Sequence, residues 1–129
     1  MARITHFEIH ADDPDALARF YTDALGWSIH RWDGPWEYWL ITTGPDDEPG
    51  INGAIVRRRG PEPAAGQPVN AFVCTAQVDD LDATVEAALA AGATIGVEKM
   101  AVPGVGYLAY LHDPQGNIVG VMQSDPAAA

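Results

Sequence analysis

The chain has one cysteine, few cations and no long hydrophobic run. Cys74 has no partner for an intrachain disulfide, and the opening MARITHFEI lacks the long apolar core of a signal peptide, so we expect a cytoplasmic protein with no membrane contact. Seven Lys and Arg residues stand against 18 Asp and Glu, which gives a net charge of -11. Because only Arg57, Arg58 and Arg59 form a basic run, nucleic acid is not an expected partner.

The residues that are present describe one globular domain with two amphipathic helices. With 129 residues, 47% of them hydrophobic, the chain is long enough to bury a core. The segment DDPDALARFYTDALG offers Asp12 or Asp13 as an N-cap, Pro14 at the first helical position and Gly26 as the end of a helix. The segment VDDLDATVEAALAAG repeats this plan with Asp80 as the cap.

Short stretches rich in aromatic and β-branched residues surround both helices. A strand precedes each helix and three follow it: WSIHRW, WEYWLITT and INGAIVR in the first half, and TIGVEKM, GYLAYLH and NIVGVMQ in the second. The pattern βαβββ occurs twice, which predicts an α+β fold of two tandem modules, at about 1–58 and about 69–124. The segment at about 59–68 has linker composition, DPQG predicts a type I turn, and SDPAAA is expected to fray.

The two halves align as copies when Asp15 is matched with Asp82. Side chains two apart in a strand share a face, so residues that correspond under this offset should hold equivalent positions in the two modules. The corresponding pairs are His6 with Val73, Glu8 with Thr75, His10 with Gln77, and Gly53 with Gly120.

These segments together resemble the vicinal oxygen chelate superfamily, which includes glyoxalase I, bleomycin-resistance proteins, extradiol dioxygenases and fosfomycin-resistance enzymes. The resemblance rests on ITHFEIHADDP…FYTDALGW, VDDLDATVEAALAAGA and LHDPQGNIVGVMQ, and it covers nearly the whole chain. It implies that each module curls a mixed sheet around a cavity, that two modules complete a cleft, and that the protein is a homodimer. One scaffold of this kind hosts many chemistries, so the resemblance does not select an activity.

The metalloenzymes of this superfamily hold a divalent ion with one residue on the first strand and one on the last strand of each module. Carried over to this chain, those places are His6, Gly53, Val73 and Gly120, of which only His6 has a donor atom. Catalytic zinc normally has about three protein ligands, so we expect no cofactor. The two glycines either leave room for a ligand or relieve crowding where the sheet bends.

The first strand places three ionisable side chains, His6, Glu8 and His10, on one face. In one hypothesis Glu8 is a general acid or base, and a flanking histidine polarises the substrate or shuttles the proton. In a second hypothesis the three side chains bind a divalent metal. In a third their role is purely structural, with Glu8 paired to a histidine or to an arginine such as Arg57.

Aromatic residues crowd the first module, which suits either a flat organic ligand or a core or dimer interface. Strand alternation leaves open whether Trp36 and Tyr38, or Glu37 and Trp39, face the cleft. The residues that we predict to bind a ligand are Gly53, Thr75, Gln77, Gly120, Trp39 and Tyr107.

Two classes of function remain open at this point. The first is an enzyme, of the lyase, isomerase or dioxygenase type, that performs proton transfer or related chemistry on a small oxygenated metabolite without the standard four-ligand metal site. The alternative is a non-catalytic protein that sequesters an aromatic or cationic compound, for which the acidic charge would supply long-range attraction. Both classes predict a small molecule as the partner.

Overall fold

The structure is a computed structural model that describes residues 1–68, 71–112, 114 and 117–129. Its elements follow the order β, α, β, β, β twice, which confirms the predicted α+β class. The chain divides into an amino-terminal unit, residues 6–72, and a carboxyl-terminal unit, residues 1–5 and 73–129. Neither helix of the described chain has the length and apolarity needed to cross a bilayer.

The amino-terminal unit contains a mixed four-stranded sheet and one helix. Its elements are β1 (Arg3–Ala11, of which the first three residues cluster with the other unit), α1 (Pro14–Leu25), β2 (Ser28–Arg31), β3 (Trp39–Thr42) and β4 (Asn52–Arg57). The strand order is β2-β3-β4-β1, with β4 parallel to β1 and antiparallel to β3.

The helix α1 begins and ends where the sequence predicts. The Asp13 side chain accepts a hydrogen bond from the Ala16 N–H at 3.1 Å, and Pro14 occupies the first turn, where no backbone donor is needed. Gly26 ends the helix with φ of 72°, a left-handed conformation that glycine adopts without steric cost.

The carboxyl-terminal unit repeats this arrangement. Its elements are β5 (Val73–Gln77), α2 (Leu81–Ala90), β6 (Thr94–Val102), β7 (Gly106–His112) and β8 (Ile118–Ser124), in the strand order β5-β8-β7-β6. One face of the sheet packs against α2 through a buried cluster of Val78, Leu81, Ala109, Leu111 and Val121. The opposite face is left to the side chains of alternate strand residues.

The carboxyl-terminal segment is ordered, which corrects the expectation that SDPAAA frays. Asp125 donates its N–H to the Val105 carbonyl at 2.9 Å, and Gly104 donates to the Ala128 carbonyl at 2.9 Å. Ala128 is buried at 5% exposure. These bonds anchor the segment to the turn between β6 and β7.

Two further sequence predictions concern short connections. The predicted strand WEYWLITT is shorter in the structure, because β3 begins only at Trp39 and residues 32–38 form a loop. Residues 113, 115 and 116 of the predicted DPQG turn lie outside the described residues.

Candidate functional site

Glu8 is a buried acidic side chain on β1. It is 4% exposed, and its strand neighbour across the parallel pairing is Ala54 of β4. The alternate residues Phe7 and Ile9 occupy the other face of the strand and are buried among apolar groups. Burial of a carboxylate is costly unless hydrogen bonds compensate it, so the partners of Glu8 indicate what the site can do.

Tyr38 supplies a hydrogen bond to Glu8 from the loop between β2 and β3. The Tyr38 hydroxyl donates to Oε2 of Glu8. The Trp32 N–H donates to the Tyr38 carbonyl at 2.7 Å, which closes the loop, and the Trp32 ring meets the Tyr38 ring edge-on with centroids 6.2 Å apart. The loop therefore holds a phenol on the face of β1 that carries Glu8.

His6 extends this contact into a chain of hydrogen bonds. Its Nε2 lies 3.1 Å from the Tyr38 hydroxyl oxygen. A tyrosine has one hydroxyl proton, and when that proton is donated to Glu8, Nε2 of His6 is the donor in the contact with Tyr38. Burial lowers the pKa of His6 below 6.5, against the opposing effect of the Glu8 charge. The lowered pKa favours the neutral imidazole, and a hydrogen bond donated to Tyr38 corresponds to its Nε2-protonated tautomer.

His10, the third member of the predicted set, makes different contacts. Its backbone carbonyl accepts a hydrogen bond from Nη2 of Arg58 at 3.1 Å. Arg57, which the structural hypothesis paired with Glu8, instead forms an ion pair with Glu37 at 2.8 Å. The compensation for burying Glu8 thus includes a tyrosine that the hypothesis did not name.

Strand pairing corrects the predicted equivalence of the two glycines. Parallel pairing sets Ala54 beside Glu8, and in the carboxyl-terminal unit it sets Gly120 beside Thr75. Since Glu8 and Thr75 are the predicted counterparts, the counterpart of Gly120 is Ala54. The predicted match of Gly53 with Gly120 is wrong by one residue.

Gly53 lies on the opposite face of β4, beside Phe7. A Cβ atom at this position would lie 2.4 Å from the Phe7 carbonyl oxygen and 2.8 Å from the Phe7 ring. The missing side chain therefore allows β4 to approach β1 closely and opens no space next to Glu8.

Two predicted ligand-binding aromatics also lie on the faces turned towards the helices. Trp39 is 5% exposed and donates its Nε1–H to the Asp15 carboxylate of α1 at 3.0 Å. Tyr107 packs against the apolar cluster under α2, and the Lys99 ammonium lies 4.9 Å from its ring centroid. Trp39 pairs with Ile55 and so lies on the face opposite Glu8, and Tyr107 pairs with Gln123 and so lies on the face opposite Gly120, which corrects their predicted placement.

The remaining predicted ligand-binding residues, Thr75, Gln77 and Gly120, lie together on one face of β5 and β8. Thr75 is 4% exposed. The Gln77 amide donates to the Ser124 hydroxyl at 3.0 Å. The sequence thus grouped these three residues correctly in space, and their binding role stays a prediction.

The donor atoms present do not fit the metal of the superfamily. The places that correspond to its ligands are filled by His6, Ala54, Val73 and Gly120. Only the imidazole can ligate an ion, and its Nε2 is hydrogen-bonded to Tyr38. Within the described part of the chain, no three His, Cys, Asp or Glu side chains are arranged to hold a metal, so the three ionisable residues of β1 do not converge as ligands. We assign no step to a metal.

Tyr38 is the site residue that sequence reasoning did not assign. Alternation along WEYWLITT could not show which way Tyr38 points, because Tyr38 lies in a loop, where side chains do not alternate between two faces. The DGP segment at 33–35 marks that loop, and a tyrosine just before a strand is a residue that can carry a hydroxyl to a buried acid. The sequence therefore marked the loop, but it did not identify Glu8 as the residue that Tyr38 would contact.

The protein belongs to the vicinal oxygen chelate superfamily, as the sequence predicted. Residues 6–122 match the family described as Glyoxalase-like domain, so the protein belongs to that family. Two curated relatives, each named "Putative glyoxylase CFP32", come from Mycobacterium bovis and Mycobacterium tuberculosis. Each is 32% identical over 120 residues, or 92% of this chain. The chain spans 43% of the length of these relatives.

Solved structures show the same fold at low sequence identity. Methylmalonyl-CoA epimerase from Mycobacterium tuberculosis superposes with a TM-score of 0.67 at 17% identity, over 95% of this chain and 88% of that one. A hypothetical protein, BH1468 from Bacillus halodurans, gives a TM-score of 0.67 at 12% identity, over 99% and 98% of the two chains.

Proposed function

We propose that this protein is an enzyme that transfers a proton at a carbon atom of a small oxygenated metabolite, with Glu8 as the general base. The observation that carries the proposal is a carboxylate 4% exposed whose Oε2 accepts a hydrogen bond from Tyr38. A general base must be held in a defined orientation and shielded from bulk water, and burial with a fixed donor supplies both conditions.

Tyr38 and His6 have different roles in this proposal. Tyr38 contacts the base directly and fixes the direction of one carboxylate oxygen. His6 acts through Tyr38, because its Nε2–H points the Tyr38 proton towards Glu8, and it is therefore a positioning residue. Its lowered pKa keeps a positive charge away from the base at neutral pH.

The named activity of the solved structures is compatible with this chemistry. An epimerase acting beside a carbonyl group removes a proton from carbon and returns it to the other side. The likeness of 12–18% identity supports the fold alone, so no substrate is carried over from those proteins.

The test is hydrogen–deuterium exchange at substrate carbon. The protein is incubated in D₂O with methylmalonyl-CoA, and separately with a panel of 2-oxo acids and hydroxyketones, and proton NMR follows the loss of C–H signal. We expect exchange into at least one probe, slowed by about 10²–10⁴-fold in Glu8→Gln. The matched control is Glu37→Gln, which alters an exposed carboxylate paired with Arg57. Equal exchange by wild type and Glu8→Gln would overturn the proposal.

A second candidate function is sequestration of a cationic aromatic compound. It is favoured by the edge-on pair of Trp32 and Tyr38 rings, since aromatic faces attract cations. This function predicts saturable quenching of tryptophan fluorescence by the dye proflavine. It also predicts no C–H exchange in the panel and retained binding in Glu8→Gln.

A further inference from the structure

The loop between β2 and β3 contains a glycine that its backbone conformation does not require. Gly34 lies in the DGP segment, and turns often use glycine because it adopts a left-handed φ without steric cost. Gly26 at the end of α1 has such a φ, whereas the φ of Gly34 lies outside the left-handed range. A side chain at position 34 is therefore excluded by its neighbours and not by backbone strain.

The neighbour that excludes it is the side chain of Trp32. A Cβ atom at Gly34 would overlap the six-membered part of the indole, at Cζ2, Cε2 and Cη2. The indole thus lies directly on the backbone of its own loop, in the space that a side chain at position 34 would fill. Any residue other than glycine would have to displace either the indole or the loop backbone.

The same indole contacts Tyr38. The Trp32 N–H donates to the Tyr38 carbonyl at 2.7 Å, one step beyond the last strand pair, Arg31 with Trp39. Residues that face each other across paired strands bring their side chains into contact. The two rings meet edge-on, with centroids 6.2 Å apart and planes at 72°, which is a favourable arrangement for aromatic groups.

The orientation of the Tyr38 ring determines where its hydroxyl lies. The ring is nearly parallel to the His6 imidazole, with centroids 6.3 Å apart and planes at 16°, and the hydroxyl donates to Glu8. Tyr38 itself precedes β3, so strand pairing does not fix its conformation. Contacts of the ring with its neighbours therefore contribute to holding the hydroxyl at the carboxylate.

We infer that Trp32 is a positioning residue for Tyr38, and that Gly34 is the residue that leaves room for its indole. Trp32 acts through Tyr38, so its loss would misplace the donor to Glu8 without removing the base. The effect on a reaction rate rests on the proposed function, whereas the placement of Tyr38 can be measured without any substrate.

The placement is tested by NMR of the intact chain labelled with ¹³C at tyrosine Cζ, whose shift responds to hydrogen bonding of the hydroxyl. The chain has four tyrosines, and Tyr38→Phe identifies the Tyr38 signal. We expect Gly34→Ala to move that signal and to leave the other three in place. The matched control is Gly44→Ala, in another loop of the same unit, where the nearest atom to a Cβ would be 4.0 Å away, and it should move none. A folded Gly34→Ala with an unmoved Tyr38 signal would overturn the inference.

A double-mutant cycle tests whether the indole is the cause. Trp32→Ala should itself move the Tyr38 signal, and because it removes the ring that a Cβ would overlap, Gly34→Ala should add no further shift in that background. A further shift as large as that in wild type would overturn the role of the indole. If Gly34→Ala does not fold, Trp32→Ala decides alone, and an unmoved Tyr38 signal in that variant would overturn the inference.

The exchange assay in D₂O connects this placement with the proposed function. We expect Gly34→Ala and Trp32→Ala to slow exchange by about 10–100-fold and Gly44→Ala to leave it unchanged. An unchanged rate in folded Gly34→Ala would overturn the inference. A wild type that catalyses no exchange would overturn the proposed function alone, because the Tyr38 signal still reports the placement.

Discussion

Substitution of Tyr38 by phenylalanine tests the central contact of the site. The change removes one hydroxyl, and with it the hydrogen bond to the Glu8 carboxylate and the contact with Nε2 of His6. A hydrogen bond to a charged group contributes about 1.5–3 kcal/mol and a neutral one about 0.5–1.5 kcal/mol. Because the same hydroxyl takes part in both hydrogen bonds, both are lost together, and we expect Tyr38→Phe to lower the free energy of unfolding by about 2–4 kcal/mol.

Urea unfolding followed by tryptophan fluorescence measures this loss. With a denaturant slope of about 2 kcal/mol/M, the middle of the usual range for small proteins, the expected midpoint shift is roughly 1–2 M at an unchanged slope. The matched control is Tyr107→Phe, because the Tyr107 hydroxyl makes no hydrogen bond to another described residue and should cost less than about 0.5 kcal/mol. If the two variants lose equal stability, the Tyr38 hydroxyl does not compensate the burial of Glu8 and the reasoning fails.

Three further changes test other parts of the structure. Burial lowers the pKa of His6, so the unfolded chain binds more protons below pH 6.5 than the folded chain does, and the free energy of unfolding should fall as the pH drops through 6.5. If urea unfolding gives wild type and His6→Gln the same dependence of this free energy on pH, the reasoning is contradicted. Gly53→Ala places a Cβ atom 2.4 Å from a backbone oxygen and should cost about 1–3 kcal/mol by calorimetry, whereas Gly60→Ala, in open space, should be neutral; similar costs would refute the packing role. Removal of residues 125–129 should lower the melting temperature, because the Gly104 N–H loses the Ala128 carbonyl that accepts its hydrogen bond. An unchanged melting temperature would mean that the segment does not pack against the turn.

The repeated elements could be predicted because their signals are local. Asp13 with Pro14, and Asp80 in the second half, satisfy the free N–H groups of the next residues whatever the rest of the chain does. The strands were likewise marked by turn residues at their ends. The amphipathic character predicted for α1 says less about burial, since its apolar residues Phe20 and Leu25 are each 57% exposed. Helical spacing shows which residues share a face, but it does not show how deeply that face is covered.

The candidate site could be predicted only in part, because it depends on contacts between distant residues. Alternation correctly placed Glu8 and His6 on one face of β1. It could not supply Tyr38, which lies 30 residues from Glu8 in a loop whose path no local signal determines. The equivalence of Gly53 with Gly120 failed for a related reason. A shift of one residue between paired strands moves a side chain to the other face, and sequence alignment of two halves does not measure strand register.

The hydrogen bond of His6 explains how the chain can lack the other donor atoms of its superfamily. Nε2 can ligate a metal only through a free lone pair, whereas the tautomer in which Nε2 donates to Tyr38 has a proton there. Once the imidazole serves as a donor, the counterpart positions need not converge on an ion, and small residues such as Ala54 and Gly120 become acceptable there. We therefore expect His6→Gln, which keeps an N–H donor, to preserve the orientation of Tyr38 and much of the activity. His6→Ala should lose both the orientation of Tyr38 and the activity, whereas a metal-dependent site would lose activity with either substitution.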